Sequence, residues 1–196
     1  IPINYNDVGR VTLHGQLSLP ANGNDPAKLL VGSSDSFVVK PYTLFVSEAL
    51  TPTGGSNPAA TSTAGVAAGF VAGGSPFQVK VEARKFPGTA ITDITPNFGR
   101  EDTSESSIKL TAANLVYPSS GTLAALSGGT SFSATTPTGT WVNTAVTWDQ
   151  VGSITILPEL ADNDYLSAGD LQIKTPSGTI GRFYPDHFSL ISSIVT

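Results

Sequence analysis

The chain has 196 residues, a net charge of −5 and 13% charged residues, about half the usual share for a soluble domain. Ten Lys and Arg lie scattered among fifteen Asp and Glu, so no basic stripe exists to track phosphates, which excludes a nucleic-acid surface and disfavours binding to an anionic membrane. The lack of Cys removes disulfides, thiolate catalysis and Cys-based metal sites, and no run of about 18 apolar residues offers a membrane-spanning helix.

Strand signals dominate from the start. Ile1 begins directly in a polar, strand-like segment without an initiator Met, so the chain reads as a processed product or a piece of something longer. Residues 8–14 (VGRVTLH) and 37–46 (FVVKPYTLFV) alternate with period two. Residues 51–65 are rich in Gly, Ser, Thr and Pro and read as a flexible insertion. The best helical window, 59–72, is interrupted by Gly65 and Gly69, so it reads as a loop or irregular edge segment. Residues 76–84 carry the clearest half-buried pattern: Phe77, Val79, Val81 and Ala83 on one face, Gln78, Lys80, Glu82 and Arg84 on the other. Further strands are predicted at 91–98, 107–112, 141–148, 153–157, 171–174 and 179–183. Turn signals such as Phe86-Pro-Gly and Pro176-Ser-Gly separate them. Many short strands and no helical periodicity predict an all-β fold, an immunoglobulin-like antiparallel β-sandwich.

An internal repeat organises these strands. YNDVGRVTL at 5–13 aligns with WDQVGSITI at 148–156, placing Tyr5 on Trp148, Gly9 on Gly152, Val11 on Ile154 and Leu13 on Ile156 at an offset of 143. Leu17 then falls on Leu160. FVVKPYTLFV at 37–46 aligns with GRFYPDHFSL at 181–190 at an offset of 144, placing Pro41 on Pro185, Leu44 on Phe188 and Val46 on Leu190. Two segments matching in order at nearly one spacing divide the chain into three parts. Residues 1–36 read as the terminal strands of a preceding repeat, or as N-terminal strands packing on the main domain. Residues 37–180 form the sandwich, and 181–196 read as the opening strand of a following repeat. Incomplete units carry unpaired strand edges, so either end is expected to complete the sandwich of a neighbouring repeat or another copy and build fibres.

Few residues suggest chemistry. Asp186 and His187 are neighbours, and adjacent strand residues point to opposite faces, which argues against an acid–base pair. Glu159, Asp162, Asp164 and Asp170 cluster within ELADNDYLSAGD. Such an oxygen-rich loop either holds Ca²⁺ weakly or is a turn capped by its own Asp and Asn side chains. Glu101, Asp102 and Glu105 read as a solvated loop. Trp148 shares a repeated position with Tyr5 and so reads as packing, which leaves Trp141 as the better candidate to stack on a sugar ring, with Tyr165 as a second aromatic platform. His14 and His187 are the only histidines, and without Cys they make no zinc site. No nucleophile-elbow, zinc-protease, P-loop or dinucleotide motif appears, so no enzyme is expected and no cofactor beyond the candidate Ca²⁺.

The motifs VGRVTL, VGSITI, FQVKVEAR, ITPNFGRE and above all IGRFYPDHF at 180–188 resemble the C-terminal region of the Q-type biogenesis protein of bacterial mannose-sensitive haemagglutinin pili. That region occurs in large secreted or surface proteins of Gram-negative bacteria and often follows a lectin-like jelly-roll domain. ITPNFGRE is also similar to bacterial immunoglobulin-like repeats. The resemblance runs from Tyr5 to Leu190 and implies an extracellular, pilus-associated role. It supplies no catalytic residues. The expected function is a non-catalytic stalk or filament-forming module, with neighbouring repeats or copies of itself as partners. A carbohydrate-binding module recognising a host or surface glycan is the alternative.

Overall fold

The computed structural model describes residues 2–61, 68–101, 107–129, 131–132 and 139–191. Parts of the predicted insertion and of the window 59–72, as well as Asp102, Glu105 and residues beyond 191, lie outside this set.

Among the described residues the regular structure is β-strand with one short 3₁₀ turn. The strands are β1 (Gly9–Val11), β2 (His14–Leu19), β3 (Lys28–Ser33), β4 (Phe37–Val39), β5 (Thr43–Leu50), β6 (Phe77–Arg84), β7 (Ile108–Tyr117), β8 (Ser131–Phe132), β9 (Thr140–Val146), β10 (Gly152–Leu160) and β11 (Ile180–Phe183). Two antiparallel sheets, β5-β6-β9 and β11-β10-β7-β8, form the body. Their inner faces meet in one apolar core, as the alternation in the sequence requires of a sandwich. β1 with β4 and β2 with β3 make a separate antiparallel ribbon, an arm built from residues 9–39.

Phe77, Val79, Val81 and Ala83 of β6 are fully buried, as are Ile154, Ile156 and Leu160 of β10 and Ile108 of β7. Burying each large side chain of this kind contributes about 1.5–3 kcal/mol. Aromatic rings gather around Phe183. Phe183 lies 5.6 Å from Phe70, 5.3 Å from Phe77 and 5.1 Å from Trp148. Residues 180–183, read from the sequence as straddling a junction, therefore pack here as the last strand of the four-stranded sheet.

The outer face of β6 departs from the expected solvated pattern, because Glu82 and Arg84 are buried. The Arg84 guanidinium sits 3.9 Å above the Phe45 ring and donates to Glu82 Oε2 from Nε at 3.0 Å and from Nη2 at 2.6 Å. Burial pushes the Glu82 carboxyl up, but hydrogen bonding from Arg84, Ser47 and Lys80 and the charge of Arg84 together outweigh it and hold the group below its ordinary value.

Three predicted strands change form. Residues 37–46 break at Pro41, which cannot donate to a ladder, into β4 and β5. Residues 91–98 open with the 3₁₀ turn Ile91–Asp93, where Asp93 Oδ2 accepts from the backbone N–H of Thr89 and Ala90 and draws the chain into a tight loop. Residues 171–174 form no ladder, although Ile173 N donates to Tyr42 O at 3.2 Å.

Candidate functional site

The arm and the closing strands of the sandwich share one local structure. In the sandwich, Gly152 opens β10 opposite Phe183 of β11; in the arm, Gly9 opens β1 opposite Val39 of β4. Both glycines take φ values that L side chains rarely adopt, +126° at Gly9 and +119° at Gly152. Four residues further on, each strand is clamped by a serine. Ser177 N donates to Ile156 O at 2.7 Å, and Ile156 N donates to Ser177 Oγ at 2.9 Å. In the arm, Ser34 N donates to Leu13 O at 2.9 Å, and Leu13 N donates to Ser34 Oγ at 3.0 Å. Each hydroxyl then donates onward, Ser177 to Gly178 O at 2.6 Å and Ser34 to Asp35 O at 2.7 Å. Both serines fit the offset of the first repeated segment, a signal that sequence comparison can find by extending the match past Leu17.

The two copies differ in what surrounds them. Ile154, Ile156 and Leu160 are fully buried, whereas their counterparts Leu13 and Leu17 are 39% and 57% exposed and Val11 is half-buried. Beyond the clamp every residue of β2 and β3 is exposed. The ladder register places Leu17 opposite Leu30 and Leu19 opposite Lys28 on one face, with Leu29 and Val31 on the other. Both faces of the ribbon therefore carry apolar side chains. The base of the arm is anchored. Val8 is buried in the core, Asp7 Oδ1 accepts from Asn97 N at 3.1 Å, Arg10 Nη2 donates to Leu166 O at 3.0 Å, and Lys40 Nζ donates to Asp170 O at 2.7 Å. At the other end Phe188 and Leu190 are 93% and 87% exposed, while their repeat counterparts Leu44 and Val46 are buried.

The acidic loop is not gathered around a point. Lys174 Nζ lies 2.8 Å from Glu159 Oε1 and 2.6 Å from Asp170 Oδ2, so an ammonium group sits where the sequence suggested a cation site. Those two carboxylates hold the Lys174 amine above its ordinary value. Asp162 Oδ1 accepts from Asp164 N and Asp164 Oδ1 from Gly169 N, which makes them turn caps. Among the described residues no three His, Cys, Asp or Glu converge as metal ligands. Glu159, Asp162, Asp164 and Asp170 thus form a lysine-bridged, self-capped turn in this structure.

Trp141, the expected stacking platform, is 4% exposed and packs edge-on against Phe98 at 4.9 Å. Tyr165 is fully buried and donates its hydroxyl to Glu101. Both rings face the core and meet there at Phe98, 4.9 Å from Trp141 and 5.5 Å from Tyr165, a long-range fact that spacing does not carry. His187 Nδ1 lies 2.9 Å from Asp186 Oδ2, so the neighbours do meet, on an open surface.

DUF6701 supplies the match to known families: its second domain matches residues 40–148 and its third domain residues 150–195. The chain belongs to the DUF6701 family. No curated protein and no solved structure matches it. The two DUF6701 segments meet inside the sandwich, since β10 of the third-domain segment pairs with β7 of the second along Ser153–Leu160. In the repeat alignment the arm is the counterpart of the third-domain segment.

Proposed function

We propose that this chain is a non-catalytic structural module of a larger bacterial surface protein, acting as a stalk or filament-forming unit through β-strand pairing. The observation that carries the reading is the duplicated closing pair: the clamp of Ile156 by Ser177 recurs as the clamp of Leu13 by Ser34. A chain that repeats one β-closure is suited to serial assembly, in which each unit touches its neighbours and the array spans distance. The exposed β2–β3 ribbon supports strand-mediated contact. Among the described residues no helix is long and apolar enough to cross a membrane. Low charge and the absence of Cys, together with the likeness of IGRFYPDHF to the pilus-biogenesis Q-type region, support an extracellular, pilus-associated setting in a Gram-negative bacterium. Antibody raised against the sandwich and applied to intact cells of the encoding organism tests this. Labelling of unbroken cells is expected; label that appears only after lysis refutes it.

A carbohydrate-binding role in a secreted adhesin is the second reading, and one observation favours it. An open groove of about 770 Å³ is lined by Tyr117, Pro118, Val151, Arg182 and Tyr184, with Tyr184 44% exposed and able to stack on a sugar. Glycan-array binding that Tyr184→Ala abolishes would replace the first reading with this one.

A further inference from the structure

We infer that the arm of residues 9–39 is the closing β-pair of a second sandwich unit of this same kind, lying beside that unit's β7-type strand with Val11, Leu13 and Leu17 in its core. The inference deepens the structural-module reading and rests on it.

Four observations carry it. The backbone of the arm is already set in the closing conformation, with the Gly9–Val39 pairing and the Ser34 clamp matching Gly152–Phe183 and Ser177. The side chains that plug the core from β10 have apolar counterparts in the arm, of which Leu13 and Leu17 stand exposed and Val11 is half-buried. An exposed seam whose twin is fully buried is short of one neighbour, and the twin identifies it. A Cβ at Gly152 would lie 2.0 Å from Tyr117 O of β7, while a Cβ at Gly9 would meet nothing within 4 Å. The missing neighbour is thus a β7-type strand. Finally, the arm cannot turn back on its own unit, because β10 already occupies β7 from Ile108 to Tyr117. The occupant must be another unit with that position open.

Lengthening the full chain by one repeat tests this. Residues 1–147 are followed directly by residues 5–196, so that the inner copy of the arm follows a body lacking its own β10 and β11. The join keeps the natural spacing because Tyr5 aligns with Trp148. The outer arm carries Ser18→Thr, so its peptides differ in mass. Hydrogen exchange should show the inner β2 protected like β10 while the outer β2 exchanges freely. Leu13→Asp with Leu17→Asp in the inner arm should abolish the protease resistance of the first body and leave the second intact. The inference is overturned if both arms exchange alike, or if the first body resists protease despite the two aspartates. Concentration-dependent dimers of the unmodified chain, dispersed by Leu29→Asp while the inner arm stays unprotected, would assign the ribbon to a second arm and also overturn it. None of these outcomes alters the cell-surface labelling that tests the module reading itself.

Discussion

Leu160 and Leu17 occupy the same place in the repeat, so truncating each in turn separates sequence identity from tertiary setting. Leu160 is fully buried in the sandwich core between the two sheets. Removing its side chain to alanine costs lost transfer energy plus a cavity, about 3–4 kcal/mol in a core that relaxes only partly. For a domain of this size each kcal/mol moves the midpoint by roughly 2–4 °C, so Leu160→Ala should lower Tm by about 6–16 °C. Leu17 is 57% exposed on a ribbon whose strand residues are all exposed, and Leu17→Ala should change stability by no more than about 0.5 kcal/mol, or ~2 °C. Thermal unfolding by circular dichroism on the two single variants decides it. If Leu17→Ala destabilises the chain as much as Leu160→Ala does, the arm is packed in solution and the reasoning from its exposure fails.

The serine clamps give a parallel test: Ser177→Ala strands the Ile156 N–H inside the sandwich at a cost of about 1–3 kcal/mol, whereas Ser34→Ala leaves Leu13 N–H open to water and should cost less than ~0.5 kcal/mol, both read by urea titration. Acid should weaken the fold through Glu82. Its folded value lies below the ordinary 4.5, so its contribution is complete above that pH and fades as pH falls below it; Glu82→Gln should flatten the fall in Tm between neutral pH and pH ~3. Adding Ca²⁺ or EDTA should leave Tm unchanged, because Lys174 bridges Glu159 and Asp170; a rise with Ca²⁺ that Asp170→Asn removes would restore the loop as a cation site. Gly152→Ala should prevent normal folding, since both φ and Tyr117 O oppose a side chain; soluble, cooperative unfolding of that variant would contradict the register of β10 on β7.

Much of the fold is legible in the residues themselves. The alternation of Phe77, Val79, Val81 and Ala83 names a buried strand face directly, because strand geometry repeats every two residues and needs no knowledge of the partner. The match of VGRVTL to VGSITI marks one strand opening written twice, and both copies share the positive-φ glycine and the serine clamp. Other features depend on chain segments far apart in sequence. Trp141 is hidden because Phe98 reaches it, and Glu159 and Asp170 are bridged because Lys174, 15 residues after Glu159, reaches both. Glu82 and Arg84 are buried together because Phe45 covers them. Local pattern thus determined which segments are strands and which faces are apolar. Only the tertiary structure decided that one copy of the repeated pair is sealed against β7 while the other stands open, since burial belongs to the neighbour a strand meets and not to the strand alone.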